Sequence, residues 1–245
     1  GGGGGHGGDV GNGAAINAPD FTPRALVFQN VVYTIDVPIK DATERHRRRE
    51  LMSVDLLQGV SGFAKPFEMT ALMGSSGAGK TTLLDVLAFR KTVGRVKGTF
   101  MFGGRAFSKT SNATVAYVEQ FPPLLANATV RETVEFSAQL RVREAMRAKA
   151  AAIVSGVMKV LELDTMADVM CGPGLSFEET KRVAIAVELA AVPDILFCDE
   201  PTSGLTSHES RLVVQTLRRV ASTGRAVVCT IHQPSTEIFS MFDRL

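Results

Sequence analysis

The 245-residue sequence has little net charge and no long apolar run, and both absences narrow what the chain can do. Its 27 basic and 25 acidic residues give a formal net charge of +2, so no bulk electrostatic argument favours a nucleic-acid partner. No apolar stretch approaches the ~20 residues that cross a bilayer, and the N-terminus lacks the apolar core of a signal peptide. By itself, the chain is expected to be soluble.

Cysteine is also scarce. The three cysteines, Cys171, Cys198 and Cys229, lie far apart and form no CxxC pair. Two of them lie inside apolar runs that are typical of strands. We therefore predict reduced, buried thiols in a cytosolic setting, without a metal or redox role.

The two ends of the sequence favour a piece of a larger protein. Residues 1–20 are rich in glycine, so we predict a flexible linker over residues 1–23, with order beginning near Arg24. The sequence begins with glycine, and residues 239–245 stop in an apolar pattern without a terminating Gly or Pro. We expect residues 24–245 to form one domain that is truncated at its C-terminus.

The apolar pattern along the chain predicts alternating strands and helices. The strand patterns cover residues 26–37, 60–73, 194–198 and 226–231. One helical pattern begins at Thr129, which forms a capping box with Glu132, and another begins at Ser207 and stops at Gly224. Strands that alternate with helices imply an α/β fold with a mostly parallel sheet.

A basic segment lies between the first two strand patterns, over residues 41–50. It contains the run Arg45, His46, Arg47, Arg48 and Arg49. One interpretation is a patch for anionic lipid or nucleic acid, and the other is a solvated loop between strands. Because the run is short and has no interleaved aromatic residues, we favour the loop.

A glycine-rich segment fits the phosphate-binding pattern GxxxxGK[ST] and has a strand pattern before it and a helical pattern after it. Its glycines let backbone N–H groups turn inward around an anion, and the helix points its positive end at that anion. Lys80 would reach the outer phosphates of a nucleoside triphosphate, and the Thr81 hydroxyl would bind Mg²⁺. The residues predicted to bind the nucleotide are Gly74, Ser75, Ser76, Gly77, Ala78, Gly79, Lys80, Thr81 and Thr82.

Two adjacent acids, Asp199 and Glu200, follow the apolar strand pattern at residues 195–198. In a parallel sheet, ligands collect at the carboxyl ends of the strands, so both acids should emerge beside the phosphate loop. Asp199 is placed to hold Mg²⁺, and Glu200 is placed to polarise the water that attacks the γ-phosphate. A strand that merely ends in two solvated acids is the alternative, and the loop upstream favours the catalytic interpretation.

Two further polar residues, Gln120 and His232, also follow strand patterns. Gln120 can orient water or Mg²⁺, although a solvated glutamine would give the same pattern. A lone histidine is more often structural than functional, and the position of His232 at a strand end leaves both interpretations open.

These segments occur in the order found in ATP-binding cassette ATPases, which the sequence resembles from about residue 24 to its end. The matching segments are the phosphate loop, Gln120, residues 175–179 (LSFEE), 199–205 (DEPTSGL) and 232–235 (HQPS). More narrowly, residues 180–189 (TKRVAIAVEL), 199–205 and 229–235 (CTIHQPS) resemble the pleiotropic drug resistance (PDR) branch of the G subfamily of these transporters.

The resemblance implies a RecA-like P-loop core with a mostly parallel sheet, an N-terminal antiparallel β subdomain and a helical subdomain over about residues 124–189. It implies that ATP and Mg²⁺ bind between this domain and a second nucleotide-binding domain, arranged head to tail. It also implies ATP-driven export through transmembrane domains of the same transporter, with this domain at the cytoplasmic face of the membrane. The implied site residues are Lys80 and Thr81 on phosphate and Mg²⁺, Gln120 and Asp199 on Mg²⁺, Glu200 as general base and His232 as sensor of the γ-phosphate.

The sequence departs from the family pattern at two places. The signature motif usually reads LSGGQ, whereas Phe177 and Glu178 replace its two glycines here. These residues would block close backbone approach and place a negative charge opposite the partner's phosphate, so this motif should bind ATP poorly. Ser176 still forms a capping box with Glu179. Thr206 stands where the family usually has Asp, and it can still cap the following helix together with Glu209.

Both departures fall on one of the two composite sites of such a dimer. This asymmetry resembles the C-terminal nucleotide-binding domain of a full-length PDR transporter, whose N-terminal partner would supply an intact signature motif. Two other functions stay open: a soluble cassette ATPase without transmembrane domains, and a catalytically silent nucleotide-binding module. Tyr33 is a candidate for stacking on adenine, but its strand pattern would equally make it a core residue.

Overall fold

The fold is that of a computed structural model, which describes residue 16 and residues 21–38, 51–108 and 115–245. Most of the linker predicted over residues 1–23 lies outside the described residues, and so does the basic segment from Arg45 to Arg49. Both therefore stay predictions.

An antiparallel sheet is built from the early part of the chain. Its strands are β1 (Leu26–Pro38), β2 (Leu51–Ala64), β4 (Arg95–Phe102) and β5 (Arg105–Ala106), in the order β2-β1-β4-β5. The strand predicted at residues 26–37 is confirmed. The second strand begins at Leu51, well before residue 60, so the prediction misses its first part. Residues 52–56 do alternate between apolar and polar side chains, a strand signal that the prediction did not use.

A second sheet is entirely parallel and confirms the sheet expected from the alternating pattern. Its strands are β3 (Met69–Leu72), β6 (Val115–Val118), β7 (Ile195–Cys198) and β8 (Ala226–Thr230), in the order β3-β8-β7-β6. Along β7, Ile195 and Phe197 pack into one core cluster, and Leu196 and Cys198 pack into the other. A sheet that is buried on both faces needs apolar strands, and this is why the four strands read as short apolar runs.

The helices cover the two faces of this sheet. They are α1 (Lys80–Leu87), α2 (Val130–Arg141), α3 (Ala150–Val160), α4 (Phe177–Leu189), α5 (Ser207–Ser222) and α6 (Thr236–Phe239), with short 3-10 helices at Glu144–Lys149 and Asp164–Met166. In the described ranges, none of these helices combines the length and the apolar character that crossing a membrane requires. Helix α1 packs on the side of the antiparallel sheet, and α2 to α5 pack on the other side.

Capping boxes begin three of the helices, as the sequence predicts. Thr129, Ser176 and Thr206 each accept a hydrogen bond from the backbone N–H three residues on, and the glutamate at that position bonds back to the cap. All three predictions are confirmed. Because a capping box involves residues only three apart, its signal lies within the local sequence.

The buried Arg225 ties the start of the described chain to the domain. Its side chain donates to the carbonyl oxygens of Pro193 and Ile16, both at 2.9 Å, and its guanidinium carbon lies 5.2 Å from the ring centre of Phe21. Burial lowers the pKa of Arg225 to about 10. Packed contacts therefore begin before the boundary expected at residue 24.

Two further expectations are settled by burial. Cys171, Cys198 and Cys229 are all buried free thiols, as predicted, and burial raises the pKa of Cys198 well above its usual range. Tyr33 is only 4% exposed and its hydroxyl donates to the Val93 carbonyl at 2.8 Å. The core interpretation of Tyr33 is the one that the structure supports.

Candidate active site

The predicted site residues meet at the carboxyl edge of the parallel sheet. Strand β3 leads into the phosphate loop, β6 leads to Gln120, β7 leads to Asp199 and Glu200, and β8 leads to His232. Since the four strands run parallel and in register, their ends share one edge. Residues that are more than a hundred positions apart in sequence are thereby brought into hydrogen-bonding contact.

The phosphate loop is shaped by two glycines with left-handed backbone conformations. Gly77 has a φ of 80° and Gly79 a φ of 89°, values that side chains disfavour. Gly79 caps the N-terminus of α1, and a Cβ placed on it would lie 3.1 Å from Leu57 Cδ2. Lys80 Nζ donates to the carbonyl oxygens of Gly74 at 2.8 Å and Ser75 at 3.0 Å. The lysine ammonium thus lies over the loop that would hold the phosphates.

Thr81 and Asp199 form the pair expected to hold Mg²⁺. The Thr81 hydroxyl donates to Asp199 Oδ1 at 3.0 Å, and the backbone N–H of Asp199 is fixed by the Val118 carbonyl at 2.9 Å. A hydroxyl and a carboxylate offer the hard oxygen donors that Mg²⁺ prefers, and its remaining positions are usually filled by water and phosphate. The donor chemistry of this pair therefore fits the metal.

Gln120 contacts Glu200. Its side-chain amide donates to Glu200 Oε2 at 2.9 Å and to Ser203 Oγ at 3.0 Å. Its backbone carbonyl accepts a hydrogen bond from Lys181, which is 2% exposed and whose pKa is lowered by burial. Gln120 is therefore held at both ends beside the expected general base. The structure describes no contact between Gln120 and the Thr81 hydroxyl or Asp199 carboxylate, so its role on Mg²⁺ stays a prediction.

His232 follows β8, the strand that lies between β3 and β7 in the parallel sheet. Its Nε2 is 3.4 Å from Ser76 Oγ, and the next residue, Gln233, has a left-handed φ of 42°. This places the imidazole beside the part of the loop that precedes Lys80. This position is compatible with a role in sensing the γ-phosphate, and that role stays a prediction.

Sequence reasoning missed two residues that contact Asp199. The buried Thr230 donates to Asp199 Oδ1 at 2.7 Å, and Tyr117 donates to Oδ2 at 3.4 Å. Burial, together with the nearby Asp199, raises the pKa of Tyr117 above its usual range, so the phenol stays a proton donor. The available signal was that both are polar residues within otherwise apolar strand patterns.

The signature segment differs from its sequence interpretation at Glu178. Its side chain does not face outward: Glu178 is 5% exposed, and its Oε1 lies 2.6 Å from Arg182 Nε. The expectation that this carboxylate stands opposite a partner's phosphate is therefore wrong. Its cause is the helix periodicity, which turns position 178 inward once Ser176 has capped α4. Phe177 remains 60% exposed, so a large side chain does stand at the surface where the family has glycine.

Comparisons with known proteins agree with this geometry. The family model described as ABC transporter matches residues 57–203, which is more than half of the chain. The chain is 43% identical over 235 residues to ABC transporter G family member 42 of Arabidopsis thaliana and 43% identical over 237 residues to ABC multidrug transporter I of Aspergillus fumigatus. It is 45% identical over 231 residues to ABC transporter G family member 36 of Oryza sativa subsp. indica.

These alignments cover 94%, 95% and 92% of the chain but only 16%, 15% and 16% of the relatives. The chain thus spans about a sixth of the length of the curated proteins that it matches. Its phosphate loop lies inside the matched region, and so do Gln120, Asp199 and Glu200. The chain therefore belongs to the ABC transporter family, in which it is an ATP-binding and ATP-hydrolysing domain similar to those of the G family.

Proposed function

We propose that this domain hydrolyses ATP with the residues at the carboxyl edge of its parallel sheet and that the hydrolysis drives export through transmembrane domains of the same protein. The observation that carries the proposal is the convergence of three pairs at that edge. Thr81 contacts Asp199, Gln120 contacts Glu200, and Ser76 lies beside His232. A binding loop, a metal pair and a general base are thus assembled in one place.

The phosphate loop and Lys80 bind the triphosphate. Backbone N–H groups at the start of α1 and the lysine ammonium supply positive charge to the phosphate oxygens. Thr81 and Asp199 would hold Mg²⁺, which when bound neutralises the charge that develops on the β- and γ-phosphates. Glycine at position 79 allows a left-handed backbone conformation that would strain a residue with a side chain. The backbone of the loop can therefore approach the phosphates closely.

Glu200 acts as the general base toward the attacking water. Its backbone follows the strand end directly, and its carboxylate is oriented by the Gln120 amide at 2.9 Å. The second bond of that amide, to Ser203, holds the glutamine so that it does not rotate away. His232, which lies beside Ser76 of the loop, would contact the γ-phosphate that is cleaved.

Lys80→Met is expected to weaken binding of MgATP to the chain by about 10- to 100-fold, because a charge-assisted hydrogen bond contributes about 1.5–3 kcal/mol. Equilibrium titration with a fluorescent ATP analogue measures this affinity. Lys97→Met, an exposed lysine of β4, is the matched control and should bind like the parent chain. Equal affinity of the two variants would contradict the assignment of the loop.

A second nucleotide-binding domain would complete the site. We propose a head-to-tail dimer in which the partner's signature motif closes on the ATP held by this chain, while Ser176 and Phe177 face the other ATP. The first site would turn over and the second would hold its nucleotide. The exposed Phe177 supports this asymmetry through its bulk, whereas the charge of Glu178 does not contribute to it because Glu178 is buried.

A surface next to Gln120 in sequence supports contact with transmembrane domains. A cavity of about 170 Å³ is lined by apolar residues, including Pro122, Pro123 and Leu124, and by charged residues, including Glu119. Helix α2 adds the exposed Phe136 and Leu140, which lie four residues apart on one helix face. A soluble surface rarely exposes such residues together without a partner.

The two parts of this surface are joined by an ion pair. Arg141, the residue after Leu140, bonds Glu188 with both of its terminal nitrogens at 2.6 and 2.7 Å, and Glu188 lines the cavity. The Glu188 carboxylate raises the pKa of Arg141. A partner that docks on α2 would therefore act, through this ion pair, on the cavity next to Gln120.

Leu140→Asp is expected to lower ATP-dependent efflux of lipophilic dyes from vesicles carrying the full-length protein by about tenfold or more, because an unpaired charge would be buried against the partner. Its side chain is 68% exposed, so the domain itself should fold normally. Val93→Asp, at a residue that is 76% exposed on the antiparallel-sheet side, is the matched control. Unchanged efflux in Leu140→Asp would remove this surface from the proposal.

A further inference from the structure

The hydroxyl of Thr230 contacts both adjacent acids of the active site. Thr230 ends β8 and is fully buried. Because Cys198 pairs with Cys229 in the parallel ladder, the next residues along the two strands, Asp199 and Thr230, are also neighbours. Its Oγ1 donates to Asp199 Oδ1 at 2.7 Å and accepts from the backbone N–H of Glu200 at 2.8 Å.

These two bonds use the hydroxyl in the only way that serves both acids at once. A threonine hydroxyl has one proton to donate and two lone pairs to accept with. The proton is given to the carboxylate of Asp199, and one lone pair takes the N–H of Glu200. A methyl group in its place would leave the partly buried N–H of Glu200 without this acceptor and the carboxylate without this donor.

The backbone of Glu200 needs such support. Its φ is 43°, in the left-handed region that residues with a side chain rarely occupy. Such conformations persist only where the surroundings over-determine them. Two hydrogen bonds surround this residue: its N–H to Thr230, and its carbonyl from the Ser203 N–H at 3.0 Å. The strained turn aims the general base away from the direction of the strand.

We propose that Thr230 is a positioning residue that fixes the metal-binding Asp199 and the general base Glu200 relative to each other. The inference rests on the proposed function, because it assumes that these two acids act on MgATP. Thr230 is fully buried and acts through these two acids. Its effect is to hold one carboxylate by its side chain and the other by its backbone, so that both approach the bound triphosphate in a single arrangement.

The test compares Thr230→Val with Thr230→Ser. Valine keeps the shape and removes the hydroxyl, and serine keeps the hydroxyl. Thr230→Val should lower turnover of the full-length protein about 10- to 100-fold with KM for ATP changed less than about threefold, as is typical when an outer-shell partner is lost. Thr230→Ser should restore turnover to within about threefold of the parent.

A second readout does not depend on turnover. Binding of a fluorescent ATP analogue to the chain is titrated with Mg²⁺ and with EDTA. Thr230→Val should bind normally in EDTA and lose part of the gain in affinity that Mg²⁺ gives. The matched control is Thr216→Val in α5, which is 1% exposed and whose hydroxyl donates to the Leu212 carbonyl of its own helix. This control should match the parent in both assays.

Three results would overturn the proposal. They are full turnover in Thr230→Val, a failure of Thr230→Ser to restore it, and losses in Thr216→Val as large as those in Thr230→Val, which would indicate a general packing defect. Glu200→Gln is measured in parallel. If that variant turns over ATP normally, the general-base assignment fails, and the Mg²⁺-dependent binding of Thr230→Val alone decides whether Thr230 positions Asp199.

Discussion

Glu200→Gln is expected to lower ATP turnover of the full-length protein by about 10²- to 10⁴-fold while ATP binding stays near that of the parent. The substitution removes the basic carboxylate and keeps the size of the side chain. The Gln120 amide, which donates to Glu200 Oε2 at 2.9 Å, can still donate to the amide oxygen of the new side chain. The geometry is preserved, and the loss therefore reports the chemistry. Steady-state hydrolysis and nucleotide titration measure the two quantities.

The matched control for this experiment is Glu237→Gln. Glu237 is an exposed acid of α6 that pairs with Arg211 at 3.0 Å. It should turn over ATP like the parent. If Glu200→Gln retained near-parental turnover, the proposal of a hydrolytic site built from this chain's Lys80, Gln120, Glu200 and His232 would be contradicted, and the silent-module alternative would be favoured.

Local signals explain what the sequence could predict. The phosphate loop, the three capping boxes and the strand ends at Asp199 and His232 all depend on residues a few positions apart. Glycine at position 79 and a hydroxyl at Ser176 act on their own backbone neighbourhood, so their structural meaning is present in the pattern. Parallel pairing then follows from the alternation of strands with helices, and the shared strand edge follows from that pairing.

What the sequence could not predict depends on contacts between distant segments. Thr230 lies in an apolar run and becomes informative only when β8 is placed beside β7. The sequence pattern of Tyr33 fits a core residue and an adenine-stacking residue equally well. The hydrogen bond from its hydroxyl to the Val93 carbonyl, which favours the core, appears only in the folded chain. The burial of Glu178 depends on packing that the local pattern does not show, although its partner Arg182 is only four residues away on the same helix. Helix periodicity decides which face a residue lies on, and tertiary packing decides which face is buried.

Glu178→Ala is expected to destabilise the chain by about 3 kcal/mol, at the lower end of what breaking a buried ion pair costs. Arg182 would keep its charge in a site where its side chain is only 14% exposed. It would still donate to the carbonyl oxygens of Leu161 at 3.2 Å and Glu162 at 3.1 Å, and for that reason the lower end applies. For a chain of this size, the melting temperature should fall by roughly 6–12 °C.

Two comparisons make that experiment specific to the buried pair. Glu144→Ala breaks a pair with Arg147 whose side chains are 80% and 62% exposed, and it should change stability by less than about 1 kcal/mol. The double variant Glu178→Leu with Arg182→Met removes both charges and should recover most of the loss, because no uncompensated charge stays buried. If Glu178→Ala changed the free energy of unfolding as little as Glu144→Ala, the carboxylate would instead face outward toward the partner's ATP. In that case Glu178→Ala would also tighten ATP binding at the second site. If Glu178 is buried, Phe177 is the residue that weakens ATP binding there.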